Sequence, residues 1–300
     1  MMFFIILGAY ICNHLVLGCD VNDKSNPKLP KHFAVDIDGT YRVLNDDVMN
    51  KNATAFGKAI EKGINVFFAT GRTFQETQRL FNKSDFQKMH YNSLPGVYAD
   101  GAVVYDEDGN LLSLKTLSHD VVDDVLTIVM KNCEKYKPIV FTNDDIYLLC
   151  DIGPELSEKF HKYVENAKSS YITQESLRNK DVLFLVSRFA DEILRNLSDD
   201  TINSFIHSPF AYGFYKFSPL NVNKAEGIKC LMKRYNTTIE NCGCMGDNLN
   251  DLEMLSECPY SFAPNNAKDQ TKQKAKYVMK EDYSEGAFAK VMEKLYGIIV

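Results

Sequence analysis

Short apolar runs recur along the chain, and three of them break off in the same way, in a cluster of carboxylates, hydroxyls and glycines. Phe33-Ala34-Val35 runs into Asp36-Ile37-Asp38-Gly39-Thr40, residues 64–69 run into Thr70-Gly71-Arg72, and residues 242–245 run into Gly246-Asp247-Asn248-Leu249-Asn250-Asp251. Continuous apolar runs of this kind mark strands buried on both faces of a parallel sheet. Between the first two, residues 47–61 place Ala55, Phe56, Ala59 and Ile60 at helical spacing, and Gly63 closes the stretch. Strand, helix, strand with polar residues at both carboxyl ends predicts a doubly wound α/β sheet, whose ligands sit outside those ends. Asp36 and Thr70 are therefore expected to face one crevice.

Further on, residues 73–81 predict a helix, residues 96–99 a strand, and residues 102–105 with 111–114 a hairpin around Asp106-Glu107-Asp108-Gly109. The pattern then changes. Ser118 caps a helix with Val121, Val122, Val125, Ile128, Val129 and Cys133 on one face. Apolar runs follow at residues 139–141, 146–150 and 182–186, with helical stretches at 156–164 and 192–206. After residue 217 the first pattern resumes: a helix at 224–235, a strand at 242–245, a helix at 252–256, strands at 260–263 and 277–279, and a closing helix at 287–295. The expected organisation is a doubly wound, mainly parallel Rossmann-like core, residues 32–103 and 218–300, with an inserted α+β cap domain at residues 104–217.

Ahead of the core, residues 3–12 are almost wholly apolar, residues 15–17 continue the run, and Gly18 offers a small residue for cleavage. Residues 1–18 are thus expected to be a secretory signal and residues 19–31, polar with Pro27 and Pro30, a linker. The apolar stretch is short for a membrane span and is interrupted by Asn13 and His14, so the mature chain, starting near Cys19, is expected to hold no stable span. The missing Lys or Arg ahead of the run keeps a cytoplasmic or membrane-anchored chain as the alternative to the secretory pathway.

At 300 residues and 45% hydrophobic content the chain can bury a sizeable core. A net charge of -6, with no Lys/Arg cluster interleaved with aromatics, excludes nucleic acid as an expected partner. Of eight cysteines, six follow Cys19, and their spacing forms no metal motif. Cys242 and Cys244 read as small buried hydrophobes on one strand face, which leaves the redox compartment open.

Asp36 and Asp38, two residues apart at a strand end, are expected to project to one side as close like charges. That arrangement costs energy unless a cation or a shared proton relieves it. The residue types suit a carboxylate nucleophile, a second carboxylate for proton transfer, and a bound Mg2+. Singly, Thr70 reads as a helix cap, Lys224 as a solvated helix residue and residues 247–251 as the start of a helix. Those plainer readings do not explain why all the polar clusters fall at one edge of one sheet.

In this order, Asp36 with Asp38, Thr70, Lys224, and Asp247 with Asn250 and Asp251 resemble the four motifs of the haloacid dehalogenase superfamily of phosphotransferases. Thr70-Gly71-Arg72, Tyr98-Ala99-Asp100-Gly101-Ala102, Asn223-Lys224-Ala225-Glu226-Gly227 and residues 246–251 look like its Cof-type branch, whose large cap is inserted between the second and third motifs. The resemblance covers residue 31 to the C-terminus. It implies that Asp36 attacks phosphorus to form an aspartyl-phosphate, and that Asp38 protonates the leaving oxygen and then activates water. It implies Mg2+ held by Asp36, Asp247 and the backbone carbonyl of Asp38, with Asp251 supporting the metal shell. Thr70, the Gly71 backbone, Lys224 and Asn250 would hold the phosphoryl oxygens. The implied partner is a small phosphorylated metabolite, a sugar phosphate or phosphorylated cofactor. A hexose-phosphate mutase or sugar-phosphate phosphatase of a related capped branch is the enzymatic alternative, and a secreted non-catalytic binding protein the alternative of another class. Thr73, Ala225 and Lys216 stand where the family often has proline, glycine and glutamate, departures that bear on the substrate rather than the chemistry. Neither the substrate nor the oligomeric state is legible in the sequence.

Overall fold

A computed structural model describes residues 29–163 and 169–300. The expected signal, residues 1–18, and all but the end of the expected linker lie outside the described residues. In chain order the strands are β1 (His32–Val35), β2 (Asn65–Ala69), β3 (Gly96–Tyr98), β4 (Val103–Tyr105), β5 (Leu111–Leu114), β6 (Ile139–Thr142), β7 (Ile146–Leu148), β8 (Ser169–Tyr171), β9 (Val182–Ser187), β10 (Phe205–Pro209), β11 (Tyr215–Pro219), β12 (Cys242–Met245), β13 (Tyr260–Ala263) and β14 (Tyr277–Val278).

The core sheet has eight strands in the order β14-β13-β12-β1-β2-β3-β4-β5. β1 lies at its centre, parallel to β12 on one side and to β2 on the other. Phe33, Ala34, Val35, Val66, Phe67, Phe68, Cys242, Cys244 and Met245 are all fully buried, as continuous apolar runs in a sheet covered on both faces require. Helix Asp46–Glu61, whose N-cap Asn45 accepts from the Val48 amide, packs against helices Lys83–Met89 and Ala287–Tyr296 on one face. Between sheet and helices, Tyr41 meets Phe68 and Phe288 edge-on, with ring centroids 5.2 and 5.0 Å apart. On the other face, helix Lys224–Arg234 lies over β3 and β4.

The cap sheet has six strands in the order β10-β11-β9-β6-β7-β8. Alternation divides its side chains between two cores. Val140, Leu185 and Phe217 face helix His119–Val129, whereas Ile139, Phe141, Phe184 and Val186 face the core domain and pack with Tyr98, Ala99, Ala102 and Val103. A disulfide joins Cys133 to Cys150 in the cap, while Cys242, Cys244 and Cys258 are buried free thiols in the core.

The structure corrects the sequence reading in several places. The seam between core and cap falls after Leu114 and after Pro219, not at residues 104 and 217. The β4–β5 hairpin pairs with β3 and extends the core sheet, because the tight Ala99–Gly101 turn lays β4 beside β3, and β11 runs to Pro219 inside the cap sheet. The single helix expected at residues 192–206 is two short ones, Ala190–Leu194 and Asp199–Ile202, followed by β10. Ser198 breaks it: its side chain accepts from the Thr201 amide and restarts the helix there. Helix Lys83–Met89, which the sequence reading lacked, begins with a capping box between Asn82 and Asp85.

Candidate active site

β1 ends at Val35, but the Asp36 amide still donates to the Met245 carbonyl at 2.9 Å and so fixes Asp36 beside β12. The chain then turns through Gly39, whose φ of +78° is the left-handed region. Asp38 therefore sits in a turn, and strand alternation does not place it. A Cβ on Gly39 would lie 2.5 Å from Asp247 Oδ2, so glycine also permits the two loops to meet. Across that contact Thr40 Oγ1 donates to Asp247 Oδ1 at 3.0 Å.

Lys224 opens helix Lys224–Arg234, with Asn223 as its N-cap. Its side chain is fully buried, and Nζ lies 2.6 Å from both Asp36 Oδ1 and Asp251 Oδ1. The second oxygen of Asp251 accepts from the Asp247 and Asn248 amides at 2.9 and 3.0 Å. Asp251 thus braces the loop and the lysine together. Gly246 makes room for it, since a Cβ there would lie 2.4 Å from Asp251 Cγ.

Burial pushes the Asp36 carboxyl well above the usual carboxylate range, Lys224 pulls it back, and Asp251, Asp247 and Asp38 push it further up. Burial and Asp251 likewise raise Asp247 to about 6. Burial works against the Lys224 cation, but Asp251 and Asp36 outweigh it and keep the ammonium charged. The centre therefore holds more negative charge than its lysine offsets. Asp36, Asp247 and Asp251 each offer an oxygen within 4.8 Å of the others. Hard carboxylate oxygens with surplus charge fit a divalent cation such as Mg2+. Of the expected metal ligands, Asp36 and Asp247 belong to this cluster. The Asp38 carboxylate does not: it is turned to Arg72, which leaves its backbone carbonyl as the group that the resemblance implies.

Thr70 follows β2, and its amide donates to the Val97 carbonyl at 2.9 Å. Its buried hydroxyl accepts from the Arg72 amide at 3.2 Å. Gly71 comes next, and a Cβ there would lie 3.1 Å from Asp100 Oδ1 and 3.4 Å from Asn250 Nδ2. Asn250 Nδ2 donates to Asp100 Oδ1 at 2.8 Å. The eight residues singled out in the sequence, Asp36, Asp38, Thr70, Gly71, Lys224, Asp247, Asn250 and Asp251, thus lie in loops and helix starts that meet at the carboxyl edge of the core sheet.

Three further residues at this edge were not among the site residues expected from the sequence. Arg72 forms a two-pronged pair with Asp38, Asp100 touches Asn250, and Lys216 reaches from the cap to Asp100. Each left a trace in the sequence, Arg72 and Asp100 inside the motifs that carry the resemblance and Lys216 as a departure from it, but none of the three was given a part in the site.

A profile of haloacid dehalogenase-like hydrolases matches residues 33–292. The chain is 26% identical over 258 residues to the 5-amino-6-(5-phospho-D-ribitylamino)uracil phosphatase YcsE of Bacillus subtilis, covering 85% of this chain and 92% of that protein. Among solved structures it resembles a HAD/COF-like hydrolase from Plasmodium vivax with a TM-score of 0.78 and 29% identity, over 89% of this chain and 96% of that one. The HAD subclass IIB sugar phosphatase BT4131 shares the fold with a TM-score of 0.72 at 20% identity, over 89% of this chain and 99% of that one.

Proposed function

The chain belongs to the haloacid dehalogenase-like hydrolases, and from that premise we propose that it is a Mg2+-dependent phosphatase of small phosphorylated metabolites working through an aspartyl-phosphate on Asp36. The observation that carries this reading is the buried Lys224, which binds Asp36 and Asp251 at 2.6 Å each and ties the first acidic motif to the last.

In this reading an Asp36 oxygen attacks phosphorus, the bond from phosphorus to the leaving oxygen breaks, and Asp38 gives that oxygen its proton. Water then attacks the aspartyl-phosphate, Asp38 takes its proton, and Asp36 is released with inorganic phosphate. Lys224, Thr70 and the Gly71 amide supply positive charge and donors for the phosphoryl oxygens, where negative charge gathers in the transition state. Asp36, Asp247 and the Asp38 carbonyl would hold Mg2+, which supplies charge neutralisation for the carboxylates and the phosphoryl group. The apolar face of the cap sheet, with Phe141 and Phe184, packs beside this edge against Tyr98, Ala99, Ala102 and Val103.

The test is hydrolysis of an aryl phosphate with and without Mg2+ by wild type and Asp36→Asn. An amide matches the carboxylate in size and cannot form the acyl-phosphate, so turnover should vanish. Retention of more than a trace of activity would remove Asp36 as the nucleophile.

We propose the secretory pathway as the place of action, on the apolar leader together with the Cys133–Cys150 disulfide, a bond that persists in oxidising compartments. Sequencing the N-terminus of protein from the native cell tests this. A start near Cys19 is expected, and an intact Met1 in the bulk of the material would overturn it. Among the described residues no helix is long and apolar enough to cross a membrane.

A further inference from the structure

The cap places a cation on its core-facing surface that the reaction above does not use. Lys216 pairs in register with Val186 and so shares the face of Phe141, Phe184 and Val186. It is 6% exposed, with Nζ 3.9 Å from the Phe184 ring centroid and 2.6 Å from Asp100 Oδ2. Ion pairing inside an apolar seam costs desolvation that a well-packed apolar pair would avoid, so stability alone gives little reason to keep it.

Asp100 is held where it is by the backbone. Ala99 and Asp100 have φ of 47° and 57°, a left-handed conformation costly for residues with side chains. The Ala99 amide donates to the Arg72 carbonyl at 2.8 Å and the Asp100 amide to the Thr70 carbonyl at 2.9 Å. These bonds strap the segment to the Thr70-Gly71-Arg72 loop. The Asp100 carboxylate consequently stands against Gly71 and Asn250, two of the groups that would receive phosphate. Burial opposes its charge, but Lys216 and Lys224 outweigh burial and hold it ionised below the usual range. A fixed anion beside a dianion's site repels that dianion unless something cancels it.

We infer that Lys216 and Asp100 form a charge-cancelling pair across the seam, through which a cap residue sets the affinity of the core for phosphate. Lys216 is a positioning residue here: it acts on the phosphoryl group through Asp100. The inference rests on the phosphatase reading above and adds to it a determinant carried by the cap.

The experiment uses inorganic phosphate as a competitive inhibitor of aryl phosphate hydrolysis in wild type, Lys216→Met, Asp100→Asn and the double variant. Lys216→Met should weaken phosphate binding and raise KM by about tenfold, with kcat changed far less. Asp100→Asn should shift phosphate binding the other way, because its lysine is then uncompensated. The double variant should return close to wild type. A merely structural contact would lower stability and kcat in both single variants without mutual rescue. Single variants that move phosphate affinity in the same direction, or a double variant no better than Lys216→Met, would overturn the pair. Should Lys216→Met not fold, Asp100→Asn decides alone, since unchanged or weaker phosphate binding overturns the inference. A wild type that neither hydrolyses the aryl phosphate nor binds phosphate would sink the phosphatase reading and the pair together. An active wild type whose variants fail to diverge sinks the pair only.

Discussion

Arg72 grips Asp38 with two hydrogen bonds, from Nε to Oδ2 at 2.6 Å and from Nη2 to Oδ1 at 2.7 Å, which fixes the plane of the carboxylate. The arginine is 7% exposed and the aspartate 46%, so the buried partner orients the accessible one. Lysine cannot reproduce a planar fork. Arg72→Lys should therefore lower kcat by about ten- to a hundredfold through misplacement of Asp38, the proposed acid–base group, with a smaller change in KM. The loss should be larger for poor leaving groups, which need the proton most. Equal kcat in the variant, measured on substrates of differing leaving-group pKa, would refute the orienting role.

The Asp247 carboxyl, raised to about 6 from an ordinary 3.8, makes metal-free stability depend on pH. A raised group contributes stability below its unfolded pKa, and that contribution is lost as pH rises through the folded value. Relative to Asp247→Asn, metal-free wild type should thus lose stability between about pH 4 and 6. Mg2+ should bind more tightly above that window, where it no longer competes with the proton. At a hundredfold excess over Kd it should stabilise the native protein by about 2.7 kcal/mol. Thermal melts on both sides of the window, with and without Mg2+, check both statements. A Mg2+-dependent rise in Tm as large in Asp247→Asn as in wild type would show that the metal site is wrongly assigned.

The cap disulfide links Cys133 and Cys150 across a sequence separation of 17. A crosslink of about that span removes unfolded-state entropy worth about 3 kcal/mol. Cys133→Ser with Cys150→Ser should accordingly lower the denaturation midpoint while kcat stays at the wild-type level, because neither cysteine touches the catalytic loops. An unchanged midpoint in urea would show that the bond contributes nothing to native stability.

The central strands were legible because they are unbroken apolar runs with polar ends, and the order of their motifs carried the fold class. Residues with a local signal were legible too: Ser118, expected to cap a helix, does so by accepting from the Val121 amide. Lys83–Met89 escaped because Phe86 and Met89 are its only apolar side chains besides the stem atoms of its lysines. β10 escaped because four of its five residues are exposed, so no inward alternation marks it. The hairpin's own pattern predicted β4 and β5 but could not say which sheet they join. Asp38, expected to share a strand face with Asp36, lies instead in the turn made by Gly39. Arg72–Asp38 and Lys216–Asp100 are pairs between segments 34 and 116 residues apart, and no periodicity encodes such a meeting.

β1 and β12 lie side by side, His32 opposite Cys242 and Val35 opposite Met245, although the whole cap stands between them in the chain. All six cap strands fall between Ile139 and Pro219, so the cap sheet draws every partner from one continuous stretch. The ribosome therefore releases a complete cap while β1 still lacks one of its two neighbours. A chain stopped before β12 carries Asp36 without Asp247 or Asp251 and has no acidic centre at all. The order of synthesis delivers the roof of this site before its floor, and the acidic cluster of Asp36, Asp247 and Asp251 comes together only after the cap is complete.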